Sequence, residues 1–528
     1  MNIVFVNIYP QGTMARYLYS AYVLKAYLQA TIQGEVPKVD ILNYSPAMAP
    51  ETIAARVAKL APDMVAYSSY IWNIETILEV VPLLRRALPE VLQVLGGPEI
   101  TPGRVAGFRP ENRADYYVIG EGERVFLRLV EQLRSGELDS LPDGVARHGE
   151  DGGIRFTPCE DGLLERLDDI PSVFLEGIME ERHYARQQAF LETQRGCRNR
   201  CKYCVYHRHR PVCSYYSLER IRAELDHLIL DKGVTAVRFL DAGFTTDLER
   251  AKDIVRHLCD IKNRNNGVLP WIYWEFNYYE VDDEFFALTA GLREGENILN
   301  TRDLTAEDRP QHYTDLQQGY GVINCVGLQS FHKAALKAVG RFGIIKRRFE
   351  EFMSSLRRYN LTLKADLILG LPGETMDSYF EGLEYLIPFF RHTDHVLNIH
   401  RLQILPGSDL EDLCGEFSLD YSLDAPHLVF STNTLTNEEL DHASRLTALL
   451  FRAVNSPLRE DFFTAWERRG GSLAGLLKAV YEALGPALPC AGIPLLDGSR
   501  VDDVYWNDKI FRDVPSTTLR TVLNSIGA

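Results

Sequence analysis

Twice along this chain, short apolar runs of strand length alternate with stretches of helical periodicity, and that rhythm limits the fold more than any other feature. Apolar runs at 3–7, 39–42, 64–67, 91–95 and 116–119 are separated by helical patterns at 15–29, 51–60 and 74–87. Strand–helix–strand repeats need crossover connections and build a parallel sheet covered by helices. The rhythm resumes, with longer loops, at 189–192, 236–240, 272–276, 321–327, 365–369 and 397–405. The chain is therefore read as α/β. A doubly wound domain spans 1–140, a polar linker 141–186 and a six-stranded block 187–405, followed by a mostly helical region over 406–528. With 528 residues, more than one core is required.

The second block opens on Glu192-Thr-Gln-Arg-Gly196-Cys197-Arg-Asn-Arg-Cys201-Lys-Tyr203-Cys204, directly after the apolar run Ala189-Phe190-Leu191. A loop of this length can turn three thiolates toward one centre. Three soft sulfur ligands suit an iron–sulfur cluster better than tetrahedral zinc, which wants a fourth protein ligand. A four-iron cluster on three cysteines keeps one iron open for a small molecule. Gly196 allows a sharp turn beside the metal, and Arg195, Arg198, Arg200 and Lys202 offset the negative charge of such a cluster. Cys213 is read as a structural thiol, and His207 and His209 as surface or outer groups.

Ligands of doubly wound sheets sit at the carboxyl ends of the strands. In the first domain those ends carry Asn7-Ile-Tyr9-Pro-Gln-Gly12, Ser68-Ser69-Tyr70-Ile71-Trp72-Asn73, Gly96-Gly97-Pro98-Glu99 and Gly120-Glu121-Gly122-Glu123. The glycines admit a close approach of backbone to a large flat ligand. In the second block the corresponding positions are polar: Asp241, Glu275, Asn277, Gln329, Ser330, Asp366 and Gln403. Any one of them alone is more often a local cap than a ligand.

Cys-x3-Cys-x2-Cys with Tyr203 before the last cysteine resembles the radical S-adenosylmethionine (SAM) enzymes. The Gly-Gly-Pro-Glu and Gly-Glu-Gly-Glu loops resemble the cobalamin-binding domain that precedes many of them. Gly327-Leu-Gln-Ser330, the run from Asp366 to Glu374, and Leu402-Gln-Ile-Leu-Pro406-Gly407 are similar to later motifs of the cobalamin-dependent subgroup. The resemblance implies a Rossmann-like cobalamin domain, a partial (β/α)6 TIM-type barrel and a C-terminal region that shapes the substrate pocket. It implies a 4Fe-4S cluster on Cys197, Cys201 and Cys204, and SAM contacts from Tyr203, Asp241, Glu275 and Gln329. For cobalamin it implies Tyr9, Gly12, Ser69, Tyr70, Trp72, Gly97, Pro98, Glu99, Gly120, Glu121 and Gly122. Two departures bear on this. Cobalamin carriers with a cobalt-bound histidine use Asp-x-His-x-x-Gly after the first strand, where this chain has Asn7-x-Tyr9-x-x-Gly12. Cobalamin is then expected without a histidine on its lower face, with Trp72 a candidate to cover it. Leu240-Asp241-Ala-Gly243 stands where Gly-Gly-Glu is common.

The implied activity is C-methylation, with the methyl group passing from SAM through methylcobalamin to a carbon of a small-molecule or peptide intermediate. Cyclisation or rearrangement without net methyl transfer, and polar methylation of an indole, stay open. A corrinoid or iron–sulfur carrier, the reading from a different class, needs neither an open iron nor polar strand ends. An external electron donor of flavodoxin or ferredoxin type is implied. A net charge of −16 argues against general nucleic-acid binding. Nine cysteines, a start lacking a basic leader and no membrane-length apolar run predict a cytoplasmic, membrane-free protein. Tyr505, Trp506 and Phe511 near the end are read as core.

Overall fold

A computed structural model describes residues 1–528 apart from 11–14, 137–139, 185–186, 207, 209, 211, 293–320, 342, 486–513, 515 and 527–528. Gly12, His207, His209, Tyr505, Trp506 and Phe511 therefore lie outside the described residues. The chain forms two compact units. The first holds Met1–Arg198, Cys204–Ala242 and Leu405–Ser408; the second holds Asn199–Tyr203, Gly243–Ile404 and Asp409–Ala528.

In the first unit the order is β1 (Asn2–Ile8), α1 (Tyr19–Thr31), β2 (Lys38–Tyr44), α2 (Pro50–Ala58), β3 (Met64–Ser68), α3 (Ile74–Ala87), β4 (Leu92–Gly96), α4 (Pro102–Ala106), β5 (Tyr116–Val118) and α5 (Gly122–Ser135). The strands pair in parallel as β2-β1-β3-β4-β5. Every residue of β3 is buried, as a strand covered by helices on both faces requires.

The stretch expected to be a polar linker contributes structure instead. β6 (Val145–His148) and β7 (Ile154–Phe156) continue the sheet antiparallel from β5. Gly149 N bonds to Gly153 O at 2.8 Å, so the glycine- and aspartate-rich run is the turn of a hairpin. β8 (Gln188–Leu191), β9 (Gln194–Arg195), β10 (Ser214–Tyr215), α6 (Leu218–Asp226) and β11 (Ala236–Phe239) follow. β8 and β11 are parallel. The buried Tyr17 hydroxyl accepts from Phe190 N at 3.2 Å, and its ring lies edge-on to the Phe190 ring. This contact ties β8 to the first unit, across the expected domain boundaries.

The second unit holds α7 (Leu248–Arg264), β12 (Trp271–Phe276), α8 (Asp283–Gly291), β13 (Val322–Gln329), α9 (Lys333–Ala338), α10 (Lys346–Arg358), β14 (Leu363–Leu369), α11 (Met376–Leu386) and β15 (Val396–Arg401). β12 to β15 pair in parallel in that order. With β8 and β11 they make the six strands read from the sequence. Helix α12 (Asp409–Asp412) and the ribbon β16 (Asp420–Tyr421) with β17 (Val429–Ser431) lead to α13 (Asn437–Val454), α14 (Arg459–Arg469), α15 (Leu473–Leu484) and α16 (Ser516–Ile526). α13 starts on a capping box of Thr436 and Glu439. No described helix is long and apolar enough to cross a membrane.

Candidate functional site

The cysteine loop leaves β9 and returns at β10. These two strands pair antiparallel, Arg195 opposite Ser214 and Gln194 opposite Tyr215, so the loop has a closed neck. Gly196 adopts φ +93°, and a Cβ there would lie 2.9 Å from Arg210 O; no other residue fits between the two limbs. Asp241 holds the outgoing limb. Its carboxylate accepts from Thr193 N at 2.8 Å, Thr193 Oγ1 at 2.6 Å and Gln194 N at 3.1 Å. Burial pushes Asp241 up to about 7 against those bonds. The side chain expected to face SAM is thus engaged in anchoring the neck.

Arg195, expected from the sequence to offset cluster charge, is paired with protein carboxylates. Three carboxylates from the end of β8 and the start of α5 converge on its guanidinium: Glu192 at 2.9 Å, Glu123 at 2.8 Å and Glu121 at 3.1 Å. Glu121 also receives Arg210 through both oxygens, each at 2.8 Å. Burial alone would raise the Glu121 carboxyl; the Arg210 bonds and the Arg195 charge outweigh it and hold it below its ordinary value.

The remaining described positions expected from the sequence to contact cobalamin follow the carboxyl ends of strands in the first sheet. Gly97, at φ +115°, packs against the backbone of Ser69, where a Cβ would sit 2.9 Å from Ser69 N. Ser69 N donates to Gly96 O at 2.7 Å. Ser69 Oγ and Asn7 Oδ1 are buried there with no protein partner. Trp72 stacks on Tyr70, with ring centroids 4.4 Å apart and planes 9° from parallel, and its Nε1 donates to Ile8 O at 3.2 Å. Glu99 is ion-paired with Arg104 at 3.2 Å. Tyr9 N bonds to Tyr44 O at 3.1 Å, Gly120 takes φ +88°, and Gly122 opens α5. Pro98 follows Gly97 in the β4 loop.

In the second unit, Cys201 is 4% exposed and Arg341 Nη1 donates to its Sγ at 3.3 Å. The same nitrogen reaches Tyr203 Oη at 3.4 Å, and Nη2 bonds to Gly327 O and to Asn277 Oδ1 at 3.5 Å. Lys202 lies over the Phe417 ring at 5.9 Å. Gln329, the last residue of β13, is held at φ +66° with its Oε1 buried and unpartnered. Glu275 accepts from Tyr273 Oη at 2.9 Å. Asp366, on β14, accepts from Asn398 at 2.9 Å and Cys325 at 3.2 Å, with Lys364 at 3.4 Å. Burial works against its charge, but Lys364 and its other partners hold its pKa down. Sequence reading missed Arg341 and Arg210. The first lies in a run with no local signature, and the second was hidden among neighbouring basic residues.

These residues fit the three groups implied. Cys197, Cys201 and Cys204 form no disulfide, and a partly buried cation beside one of them suits a thiolate-held cluster. The orphaned Gln329 oxygen at a strand end suits a hydroxyl- or amine-bearing ligand such as SAM. The Gly97 cradle with two orphaned oxygens suits an amide-rimmed macrocycle such as cobalamin.

Comparison with known proteins agrees with this reading. The B12 binding domain family matches residues 20–130, and the radical SAM superfamily matches 191–386. The chain is 26% identical over 360 residues to 2-(S-pantetheinyl)-carbapenam-3-carboxylate methyltransferase of Streptantibioticus cattleyicolor, covering 66% of this chain and 48% of that protein. It is 26% identical over 364 residues to the cobalamin-dependent radical SAM methyltransferase TokK of Streptomyces tokunonensis, with the same coverage. The chain thus spans about half the length of these relatives. The fold is shared with the methyltransferase TsrM of Kitasatospora setae bound to cobalamin and a [4Fe-4S] cluster, at TM-score 0.62, 14% identity and coverage of 92% and 99% of the two chains. It is shared equally with the radical enzyme OxsB, at TM-score 0.62, 14% identity and coverage of 99% and 80%. The chain thus carries a B12-binding domain and a radical SAM domain on one polypeptide and is homologous to cobalamin-dependent radical SAM methyltransferases, and the cofactors of these domains are cobalamin, SAM and a 4Fe-4S cluster.

Proposed function

We propose that this chain is a C-methyltransferase, moving a methyl group from SAM to a carbon of a small-molecule or peptide intermediate. The observation that carries the reading is the pairing of a B12-binding domain at 20–130 with a radical SAM domain at 191–386 in a chain whose relatives are named methyltransferases. When bound, the cofactors supply reductive SAM cleavage and a transferable methyl group.

The chain's own residues bind, orient and exclude water. Cys197, Cys201 and Cys204 hold the cluster, Arg341 keeps a positive charge against the Cys201 sulfur, and Tyr203, Glu275 and Gln329 receive SAM. Ser69 and Gly97 would cradle the corrinoid, and the Tyr70–Trp72 stack would help keep water from it. No protein acid or base is needed for a radical step. The electron comes from an external flavodoxin- or ferredoxin-type donor, in a reducing cytoplasm.

The test is anaerobic reconstitution followed by product analysis with labelled SAM and candidate substrates. S-adenosylhomocysteine and 5′-deoxyadenosine formed together, with label in the product, support radical methylation. 5′-Deoxyadenosine alone moves the assignment to rearrangement, S-adenosylhomocysteine alone to polar methylation, and neither product to a carrier.

A further inference from the structure

Glu121 occupies an unusual place. It stands between Gly120 and Gly122 in the loop that opens α5, on the cobalamin-binding domain, yet its carboxylate faces the neck of the cysteine loop. It receives one arginine from each limb of that neck. Arg195 comes from the outgoing limb, two residues before Cys197, and Arg210 from the returning limb. Arg210 is buried and extends to Ser214 Oγ at 2.7 Å and Leu164 O at 3.2 Å, so its guanidinium is fully engaged. Arg195 is grasped from the other side by Glu192, whose second oxygen accepts from Tyr216 Oη at 3.1 Å.

The five charged groups, Glu121, Glu123, Glu192, Arg195 and Arg210, form one continuous hydrogen-bonded body, each at most 17% exposed. Bidentate arginine–carboxylate pairs fix direction as well as distance. Removing one partner from a largely buried network leaves charge uncompensated, which costs far more than an exposed pair would. No such rigidity is needed merely to close a two-residue β-bridge.

We propose that Glu121 is a positioning residue, which clasps the two limbs of the cluster loop and locks that loop to the glycine loop of the cobalamin-binding domain. The clasp sets the register between the sites for the two metal cofactors. This rests on the cofactor set and not on methylation being the reaction.

The test uses the full chain loaded with cluster and cob(II)alamin, comparing wild type with Glu121→Gln and Arg210→Lys. The Gln side chain keeps size and one acceptor while removing the charge; the Lys keeps the charge and removes the fork. Iron and cobalt content, thermal midpoint, and the dipolar coupling between the reduced cluster and cob(II)alamin in electron paramagnetic resonance are read together. The expected result is a broadened or shifted coupling in both variants, or at least a several-fold faster loss of cluster iron on gel filtration, with cobalamin content and the cooperative thermal transition retained. Unchanged coupling with both centres loaded overturns the proposal. So does loss of cobalamin alone, which makes Glu121 a corrinoid contact. Collapse of the thermal transition in Glu121→Gln also overturns it, making the network a stability element only. Failure of the methylation assay leaves each of these readouts intact.

Discussion

Arg341 places its guanidinium on the Sγ of Cys201, 3.3 Å away, although 140 positions separate the two residues. The cation is partly buried, and its other nitrogen bonds to Gly327 O and Asn277 Oδ1, which restrains it from swinging to solvent. A charge-assisted bond to a cluster thiolate stabilises the form with the greater negative charge, which is the reduced cluster. Arg341→Met should therefore lower the cluster potential. A lost interaction of about 1.4 kcal/mol corresponds to about 60 mV for a one-electron couple. Redox titration of the reconstituted protein measures it, and an unchanged or raised potential would count against the contact. Arg341→Lys should retain only part of the effect, since a lysine cannot bridge the sulfur and Gly327 O at once.

Gln329 bears backbone strain at the end of β13. A non-glycine residue at φ +66° costs about 1–3 kcal/mol, and its Oε1 is buried without a partner. Both costs are understandable if the amide is held ready for a ligand. Gln329→Gly should raise the thermal midpoint or leave it unchanged while weakening SAM binding roughly tenfold, about one hydrogen bond. Calorimetry on the cluster-loaded protein gives the affinity. A variant with lower stability and unchanged SAM affinity would remove Gln329 from the site.

How much of this was legible in the sequence follows from how local each signal is. β3 and α3 could be read because burial on both faces, or on one helical stripe, writes a periodic pattern into contiguous residues. The cysteine triad could be read as a candidate cluster site for the same reason, as its three thiols lie within one loop. Arg341 could not be read, and Glu121 was read only as a cobalamin contact, because folding delivers the partners of both from distant segments. Asp241 was read as a SAM contact by resemblance, and its bonds to two backbone amides and a hydroxyl, all brought to it by folding, were not visible in the sequence. β6 and β7 escaped notice because strands of four and three residues around a Gly-rich turn carry too few positions to show alternation.

Gly97 offers a separable test of the cobalamin site. At φ +115°, any side chain is strained, and the added Cβ would press on the Ser69 backbone that bonds to Gly96 O. Gly97→Ala should push the β3 and β4 loops apart, at a cost of about 1–3 kcal/mol from the backbone alone. Cobalamin binding, followed by absorbance after gel filtration, should fall at least tenfold. Iron and sulfide content should stay near wild type, because the atoms a Cβ at Gly97 would meet most closely belong to Ser69 and not to the cysteine neck. Equal loss of both cofactors would point to global unfolding.

Glu374 gives the chain a pH dependence of defined sign. Its carboxyl is 1% exposed, and burial pushes it up to about 8 even though Ser330 Oγ donates to Oε1. The folded protein thus keeps a proton that the unfolded chain releases near the ordinary carboxyl value. Its contribution is fully present below the unfolded value of about 4.5 and is lost as pH rises toward about 8. Glu374→Gln keeps an acceptor for Ser330 and has no proton to release. The stability of wild type relative to this variant should then fall with pH by up to about 1.4 kcal/mol per unit through that window. Thermal midpoints of both proteins at several pH values between 5 and 8 measure the slope. A difference that stays flat would mean that Glu374 ionises freely in the folded chain, and that the space around its unpartnered Oε2 admits water.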